Sequence, residues 1–365
     1  MKICHVTYLY FTEGNGITNA VVNLCENENK SKDVELSRIL SIGSFSLNPN
    51  NNLCNTFCEK NMLLNHTYSI YNTIKHMIKF KPDIVNFHVI YKPLTIFLAC
   101  ICCLLNIKYV ITPHSSLMNT AQKKNRLFKN IFNTIFLKAM FKKSSIIYFL
   151  NENERDNSKK LVNDLTIRIL PNGVHKNNLK EKRFNKKSCN LLFLARYDIH
   201  HKGIDILLSY IESNVEFFNK NNIVLNMYGS GNAKKIQELV NERKIGELVN
   251  VHGSVFGDDK VNAFEEADIY ILTSRYEGLP ISVLEALSYG LPCIVSKYCN
   301  MSDSVSYGCS LQADNIDDFI NSLNLLLTER HYKYFSTKAI NYIGDQFNWN
   351  SIVDKRICDF KSVIA

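Results

Sequence analysis

The chain has 365 residues, 46% hydrophobic and 21% charged, with a net charge of +9. That length points to two domains, and the composition is that of a soluble globular protein with material for two sizeable cores. The longest apolar run, Pro93–Ile107, is shorter than the ~20 residues that cross a bilayer, so it reads as a buried helix, with a re-entrant segment as the lesser alternative.

The N-terminus "MKICHVTYLYFTEG" meets Glu13 too soon for a leader peptide and reads as a first buried strand. Further strands are expected at 34–40, 83–89, 108–112 and 145–150, with helices near 17–29, 68–79, 94–105, 125–142 and 152–162. Strands alternating with helices predict a parallel sheet covered on both faces. A polar, basic stretch at 175–188 is the linker candidate. The alternation then restarts, with strands at 189–195, 222–228, 247–253, 268–273 and 291–296, and a late helix at 315–329. The reading is two doubly wound Rossmann-like domains facing a cleft: residues 1–178, then 179–347, with a last helix at 348–365 crossing back to the first.

Twelve cysteines could build a disulfide framework, but Cys4, Cys100, Cys102, Cys103 and Cys293 lie inside apolar runs, where cysteine behaves as a small hydrophobe. With Cys54 and Cys58 lacking a second ligand pair, a zinc site is disfavoured. A reduced, cytoplasmic chain is expected. Residues 1–180 carry 23 Lys and Arg against 11 Asp and Glu, whereas 181–365 carry 20 against 23. The basic half calls for an anionic partner: nucleic acid, an anionic membrane surface or a phosphorylated substrate. The stretch 122–143 has helical apolar spacing at Phe128, Ile131, Phe132, Ile135, Phe136, Ala139 and Met140, with lysines elsewhere. It reads first as a domain-covering helix with a solvated basic side, and second as a peripheral contact for anionic lipid.

Ligands of open α/β sheets gather beyond the carboxyl ends of the strands. Gly14 and Gly16 follow the first strand, but Asn19 stands where a dinucleotide fingerprint needs a third glycine; a plain turn fits as well. In "FLARYDIHHKGIDILL", Arg196 and Lys202 stand between a strand and a helix and suit a diphosphate, although a solvated basic loop has the same look. Gly229 in "YGSG" follows another strand. In "TSRYEGLPISVLEAL", Glu277 falls in a loop, Pro280 suits a helix's first turn and Glu285 lies inside that helix. The two carboxylates therefore border a helix N-terminus that favours an anion. They do not form the facing pair of a glycosidase. His5, His88 and His252 sit in strand patterns and read as core or cleft-lining residues. His200 and His201 read as loop histidines.

Taken in order, "TPHSSL", "LPNGV", the R-x5-KG of Arg196 to Gly203, "YGSG", the E-x7-E of Glu277 and Glu285, and "GLPCIVS" resemble family 4 glycosyltransferases of the GT-B fold over nearly the whole chain. The resemblance implies retaining transfer of a sugar from a nucleotide-sugar donor to a hydroxyl of a lipid-linked or saccharide acceptor. It also implies a place in bacterial surface polysaccharide or lipopolysaccharide biosynthesis, no metal, no separate cofactor and no nucleic acid. It places Arg196 and Lys202 on the donor diphosphate, Glu285 on the ribose and Glu277 on the transferred sugar. The backbone of Gly278, Leu279, Pro280, Ile281 and Ser282 would touch sugar and phosphate, Gly16 would approach the diphosphate, and His114 would stand near the donor sugar. Asn15-Gly16 and His114-Ser115 depart from the family's Gly-Gly and His-Gly. A GT-B sugar-nucleotide epimerase and a non-catalytic membrane- or nucleic-acid-binding module are the alternatives.

Overall fold

A computed structural model describes residues 1–8, 16–41, 70–123, 125–162, 165–174 and 187–364. The chain divides into two compact units, Met1–Gly173 with Trp349–Ala365 and Val174–Asn348. The expected boundary at 178 and most of the linker lie outside the described residues, as do Gly14, Asn15, Cys54 and Cys58.

The first unit is built on six parallel strands, β1 (Lys2–Thr7), β2 (Leu36–Ser41), β3 (Ile84–Phe87), β4 (Lys108–Ile111), β5 (Ile146–Phe149) and β6 (Ile167–Ile169), in the order β2-β1-β3-β4-β5-β6. Covering helices leave no solvent face, so these strands read as near-continuous apolar runs: Ile3, Cys4, Val6, Ile84, Val85 and Phe87 are fully buried. The chain goes from β1 to β2 on one side and returns to β3 on the other. The sheet's switch point therefore lies between β1 and β3, where His5 is in register with Asn86. The helix Trp349–Ile364 packs Trp349, Ile352, Val353, Ile357 and Phe360 into this unit's core, and Trp349 lies so close to Gly173 that a Cβ there would fall 2.3 Å from its ring.

The second unit repeats the plan with β7 (Cys189–Leu194), β8 (Ile223–Tyr228), β9 (Val249–Val251), β10 (Ile269–Leu272), β11 (Cys293–Val295) and β12 (Ser310–Gln312), in the order β12-β11-β10-β7-β8-β9. Its switch point lies between β7 and β10.

β6 and β12 go unpredicted: each is a three-residue strand at a sheet edge, too short to leave an apolar run. The expected single helix over 125–142 is Arg126–Phe132, then a π-helical stretch Asn133–Leu137, then Lys138–Lys143. A π turn shifts the helical phase, and the stripe read from the sequence splits accordingly. Phe132 and Met140 are buried along with Leu137 and Phe141, whereas Phe128, Ile131, Ile135 and Phe136 face outward. Pro280, expected in the first turn of its helix, instead caps it; the helix runs Ile281–Ser288.

Candidate functional site

In the second unit the loops beyond β7 and β10 meet at the switch point. Gly203, at φ 62°, makes this approach possible: a Cβ there would fall 2.0 Å from the Thr273 carbonyl oxygen, and the Thr273 hydroxyl donates to the Gly203 carbonyl at 2.9 Å. Gly229 plays the same part beyond β8, where a Cβ would fall 2.0 Å from the Ala195 carbonyl oxygen. The sequence pattern thus marks glycines whose missing side chains let strand ends converge.

The convergence brings Lys202 and Glu277 together. Lys202 Nζ donates to Glu277 Oε1 at 2.6 Å, and the Ser274 hydroxyl donates to the same oxygen at 2.6 Å. The two charged side chains are only 14% and 11% exposed. The Glu277 loop is held by its own N–H, which donates to the Tyr298 carbonyl at 3.0 Å, and by Asn300 Nδ2, which donates to the Glu277 carbonyl. His201, read from the sequence as a loop histidine, is packed: its ring stacks on Tyr276 with centroids 3.9 Å apart, and its Nε2 lies 2.8 Å from the Tyr276 carbonyl oxygen. Burial, with Lys202 adding to it, moves the His201 imidazole below its usual range despite the Glu277 carboxylate beside it. Arg196 is exposed and reaches His201 Nδ1 at 3.4 Å and Asp198 at 3.7 Å.

Three partners were not singled out in the sequence. Lys260 Nζ donates to Glu285 Oε1 at 2.6 Å. Arg275 grips Asp205 with both Nη atoms, at 2.8 and 2.7 Å, and locks the Glu277 loop to the helix Ile204–Glu212. A paired Arg and Asp seventy residues apart leave no local pattern to find. Tyr270, buried in β10, has its hydroxyl 2.7 Å from Ser282 Oγ, which ties the strand to the helix carrying Glu285. That helix begins at Ile281 without a side-chain cap from Pro280. Leu279 is half-buried and Gly278 lies in the same loop, so Gly278 to Ser282 form one continuous loop-to-helix segment between the two glutamates.

In the first unit, Gly16 opens the helix Gly16–Glu28 and is exposed. His114 follows β4 with φ 46°, and Ser115 follows it with φ 64°. This is where the sequence departs from His-Gly, and the structure holds a serine in the left-handed region that favours glycine. The buried Glu154 carboxylate secures the turn, accepting from the Ser115 and Leu150 N–H groups. Burial raises the Glu154 carboxyl, against the pull of those two bonds. His5 and His88, read as core or cleft-lining residues, are both buried. His88 Nδ1 lies 2.8 Å from His114 Nε2. Burial, with Arg356 adding to it, lowers the His114 imidazole to about 4.

Among the described residues no group of three or more His, Cys, Asp or Glu could hold a metal ion, and no helix is long and apolar enough to cross a membrane.

The sequence matches "Glycosyltransferase Family 4" over residues 54–178 and "Glycosyl transferases group 1" over residues 174–342. It is 25% identical over 328 residues, 82% of this chain and 80% of the other, to UDP-Gal:alpha-D-GlcNAc-diphosphoundecaprenol alpha-1,3-galactosyltransferase of Escherichia coli. The fold resembles a glycosyltransferase from Rickettsia africae (TM-score 0.76, 15% identity, 100% and 98% of the two chains). It also resembles sucrose-phosphate synthase from Thermosynechococcus elongatus (TM-score 0.75, 14% identity, 99% and 98%).

Proposed function

The chain belongs to glycosyltransferase family 4 and is a glycosyltransferase with the GT-B fold, and on that premise we propose that it moves a sugar, with retention, from a nucleotide-sugar to a hydroxyl of a lipid-linked or saccharide acceptor in bacterial surface polysaccharide or lipopolysaccharide assembly. The observation that carries this reading is the Lys202–Glu277 pair at the β7/β10 switch point, at 2.6 Å. A cation and a carboxylate that share one site match a ligand carrying both phosphate and sugar hydroxyls.

In this reading Lys202 and the exposed Arg196 take the diphosphate and neutralise the charge that grows on it as the glycosidic bond breaks. The Gly278–Ser282 backbone, opening onto the Ile281 helix, adds N–H groups and a favourable dipole to the same anion. Glu277, already oriented by Lys202 and Ser274, accepts hydroxyls of the transferred sugar. Glu285 accepts the ribose hydroxyls. Gly229 keeps the loop after β8 low enough for a ligand to approach. In the first unit, His114 is the proposed sugar contact and Gly16 the proposed diphosphate contact. The leaving phosphate helps to accept the acceptor's proton, and no metal takes part. The E. coli relative's polyprenyl diphosphate acceptor supports an acceptor of that kind.

The exposed Leu104 (80%), Leu127 (76%), Phe128, Ile131 and Ile135 of the first unit, with the lysines around them, suit peripheral contact with an anionic membrane on its cytoplasmic face. Vesicle pelleting with and without anionic lipid tests this; equal and negligible binding would sink it.

The test of the reaction is a thermal-shift panel of UDP-, GDP-, ADP- and CMP-sugars, followed by turnover of the best donor with polyprenyl diphosphate-linked saccharides. One nucleotide should stabilise the chain, and Glu285→Ala should abolish that shift. Stabilisation unchanged in Glu285→Ala would refute the site, and product formed without any acceptor would indicate an epimerase.

A further inference from the structure

Behind His114 runs an unbroken line of buried polar groups through the first unit. His114 Nε2 lies 2.8 Å from His88 Nδ1, His88 Nε2 lies 2.9 Å from His5 Nδ1, and His5 Nε2 lies 2.7 Å from Glu28 Oε2. The Ser37 hydroxyl donates to the same Glu28 oxygen at 2.7 Å, and Arg356 Nε stands 3.3 Å from Glu28 Oε1. His5 and Glu28 are fully buried, His88 is 2% exposed and Arg356 3%. The line joins five elements: the turn after β4, the end of β3, β1, the first helix and the C-terminal helix.

We propose that Glu28, neutralised by Arg356, sets the tautomer of His114 through His5 and His88, so that His114 presents an acceptor-only Nδ1 to its ligand. The carboxylate of Glu28 accepts only, so His5 carries its hydrogen on Nε2. A neutral His5 then accepts at Nδ1, and His88 must donate to it from Nε2. His88 consequently accepts at Nδ1, and His114 must donate from Nε2. Each ring carries one hydrogen, on Nε2, and the last ring leaves a lone pair on Nδ1.

The opposite direction needs a hydrogen on both nitrogens of His5, hence a second buried cation beside Arg356. Glu28 and Arg356 already balance each other. Among the described residues no second carboxylate bonds to His5: its ring nitrogens meet only His88 and Glu28, Asp359 is taken up by the Tyr148 hydroxyl at 3.0 Å, and Glu26 bears on Cys25; an uncompensated buried charge is costly. Asn86 Nδ2 faces His88 Nε2 at 2.8 Å, while the Thr112 hydroxyl donates to Asn86 Oδ1 at 3.1 Å. Turning the amide over exchanges its two ends, gives the His88 hydrogen a second acceptor and leaves Thr112 as an acceptor for Nδ2. Burial drives the His88 imidazole well below its usual range, which keeps that ring neutral. For Glu28, burial works upward, and His5, Arg356 and Ser37 outweigh it to leave the carboxyl lowered.

Glu28, His5, His88 and Arg356 are positioning residues, since His114 alone faces outward from the line. On the reading of His114 as a sugar contact, an acceptor-only Nδ1 takes a hydroxyl of the transferred sugar and disfavours a carboxylate at that position, because two acceptors would face each other. Neutral hexoses are favoured over uronic acids.

The tautomer is read directly by two-bond proton–nitrogen correlation spectra of the full chain labelled with ¹⁵N-histidine, with His114 assigned from the resonance lost in His114→Asn. The expected result is a protonated Nε2 and a bare Nδ1 from about pH 6 to about pH 8. A hydrogen on His114 Nδ1 overturns the proposal. In Glu28→Gln, whose amide can accept or donate, both tautomers of His114 should appear, and kcat/KM should fall on the order of 10- to 100-fold, as when other carboxylate supports of an imidazole are removed. An unchanged Nε2–H tautomer in a folded Glu28→Gln chain also overturns it; the wild-type spectrum decides alone if that variant does not fold. These spectra need no substrate, so failure of every nucleotide-sugar in turnover would remove the proposed function and leave the tautomer result standing.

Discussion

Replacing Lys202 by methionine removes one partner of a pair that is 2.6 Å apart and 14% and 11% exposed. Breaking a fully buried pair costs roughly 3–5 kcal/mol, because the remaining charge stays desolvated. Here Glu277 keeps the Ser274 hydroxyl, with His201 Nε2 at 3.9 Å, so about 2 kcal/mol is expected. Glu277→Gln strands the Lys202 ammonium by a comparable amount. The double variant removes both charges and should cost no more than about 1 kcal/mol, which gives a coupling of about 3 kcal/mol. Two backbone bonds report the local effect: the Arg275 N–H donates to the His201 carbonyl at 2.8 Å and the Glu277 N–H to the Tyr298 carbonyl at 3.0 Å. Hydrogen exchange of these amides should quicken roughly 30-fold in Lys202→Met and return most of the way in the double variant. If the two single effects simply add, or if both amides keep their protection in Lys202→Met, the pair does not hold this loop.

Gly203→Ala, which requires φ 62° and meets a backbone oxygen at 2.0 Å, should lower stability by about 2–4 kcal/mol and weaken donor binding, measured by urea denaturation and by the nucleotide thermal shift. Ser115→Gly, at φ 64°, should stabilise the first unit by about 0.5–1 kcal/mol in the same titration, the relief of left-handed strain exceeding glycine's entropy cost. The lowered imidazoles of His88 and His114 mean that the unfolded chain binds protons first as pH falls. For His114 the window runs from its usual 6.5 down to about 4, so stability should decline through it; Trp349 fluorescence, reporting on the first unit, should show a smaller decline in His114→Asn. The lowered carboxyl of Glu28 adds a loss with the same sign below its ordinary 4.5.

What the sequence made legible follows from how far apart the cooperating residues lie. The alternation of strands and helices is local, and ten of the twelve strands among the described residues can be read from it. Glu277, Pro280 and Glu285 sit on one strand–loop–helix passage, so their placement in loop and helix follows from nearby periodicity. Arg196 and Lys202 are likewise fixed by the strand before them. The contact between Lys202 and Glu277 spans 75 residues, and only the sheet order, which sets β7 beside β10, turns two local motifs into one site. Arg275, Asp205 and Lys260 escaped because each looks like an ordinary surface charge until its partner is known.

The line behind His114 was harder still. His5, His88 and His114 lie on three strands or their ends, Glu28 on a helix and Arg356 near the end of the chain. No window of sequence contains two of them at a diagnostic spacing. His5 and His88, read as core or cleft-lining residues, are both buried, but a buried histidine must still place its hydrogens. That requirement carries the inference inward from the site: three polar rings can share a core only if their donors and acceptors alternate, and the one fixed acceptor at the end is Glu28. A basic residue of the C-terminal helix, Arg356, is buried in the first unit for the same reason. Without Arg356, Glu28 would be a desolvated carboxylate with only a hydroxyl and an imidazole to hold its charge. It would then be easier to protonate, and a protonated Glu28 could donate to His5 and reverse the direction of the whole line.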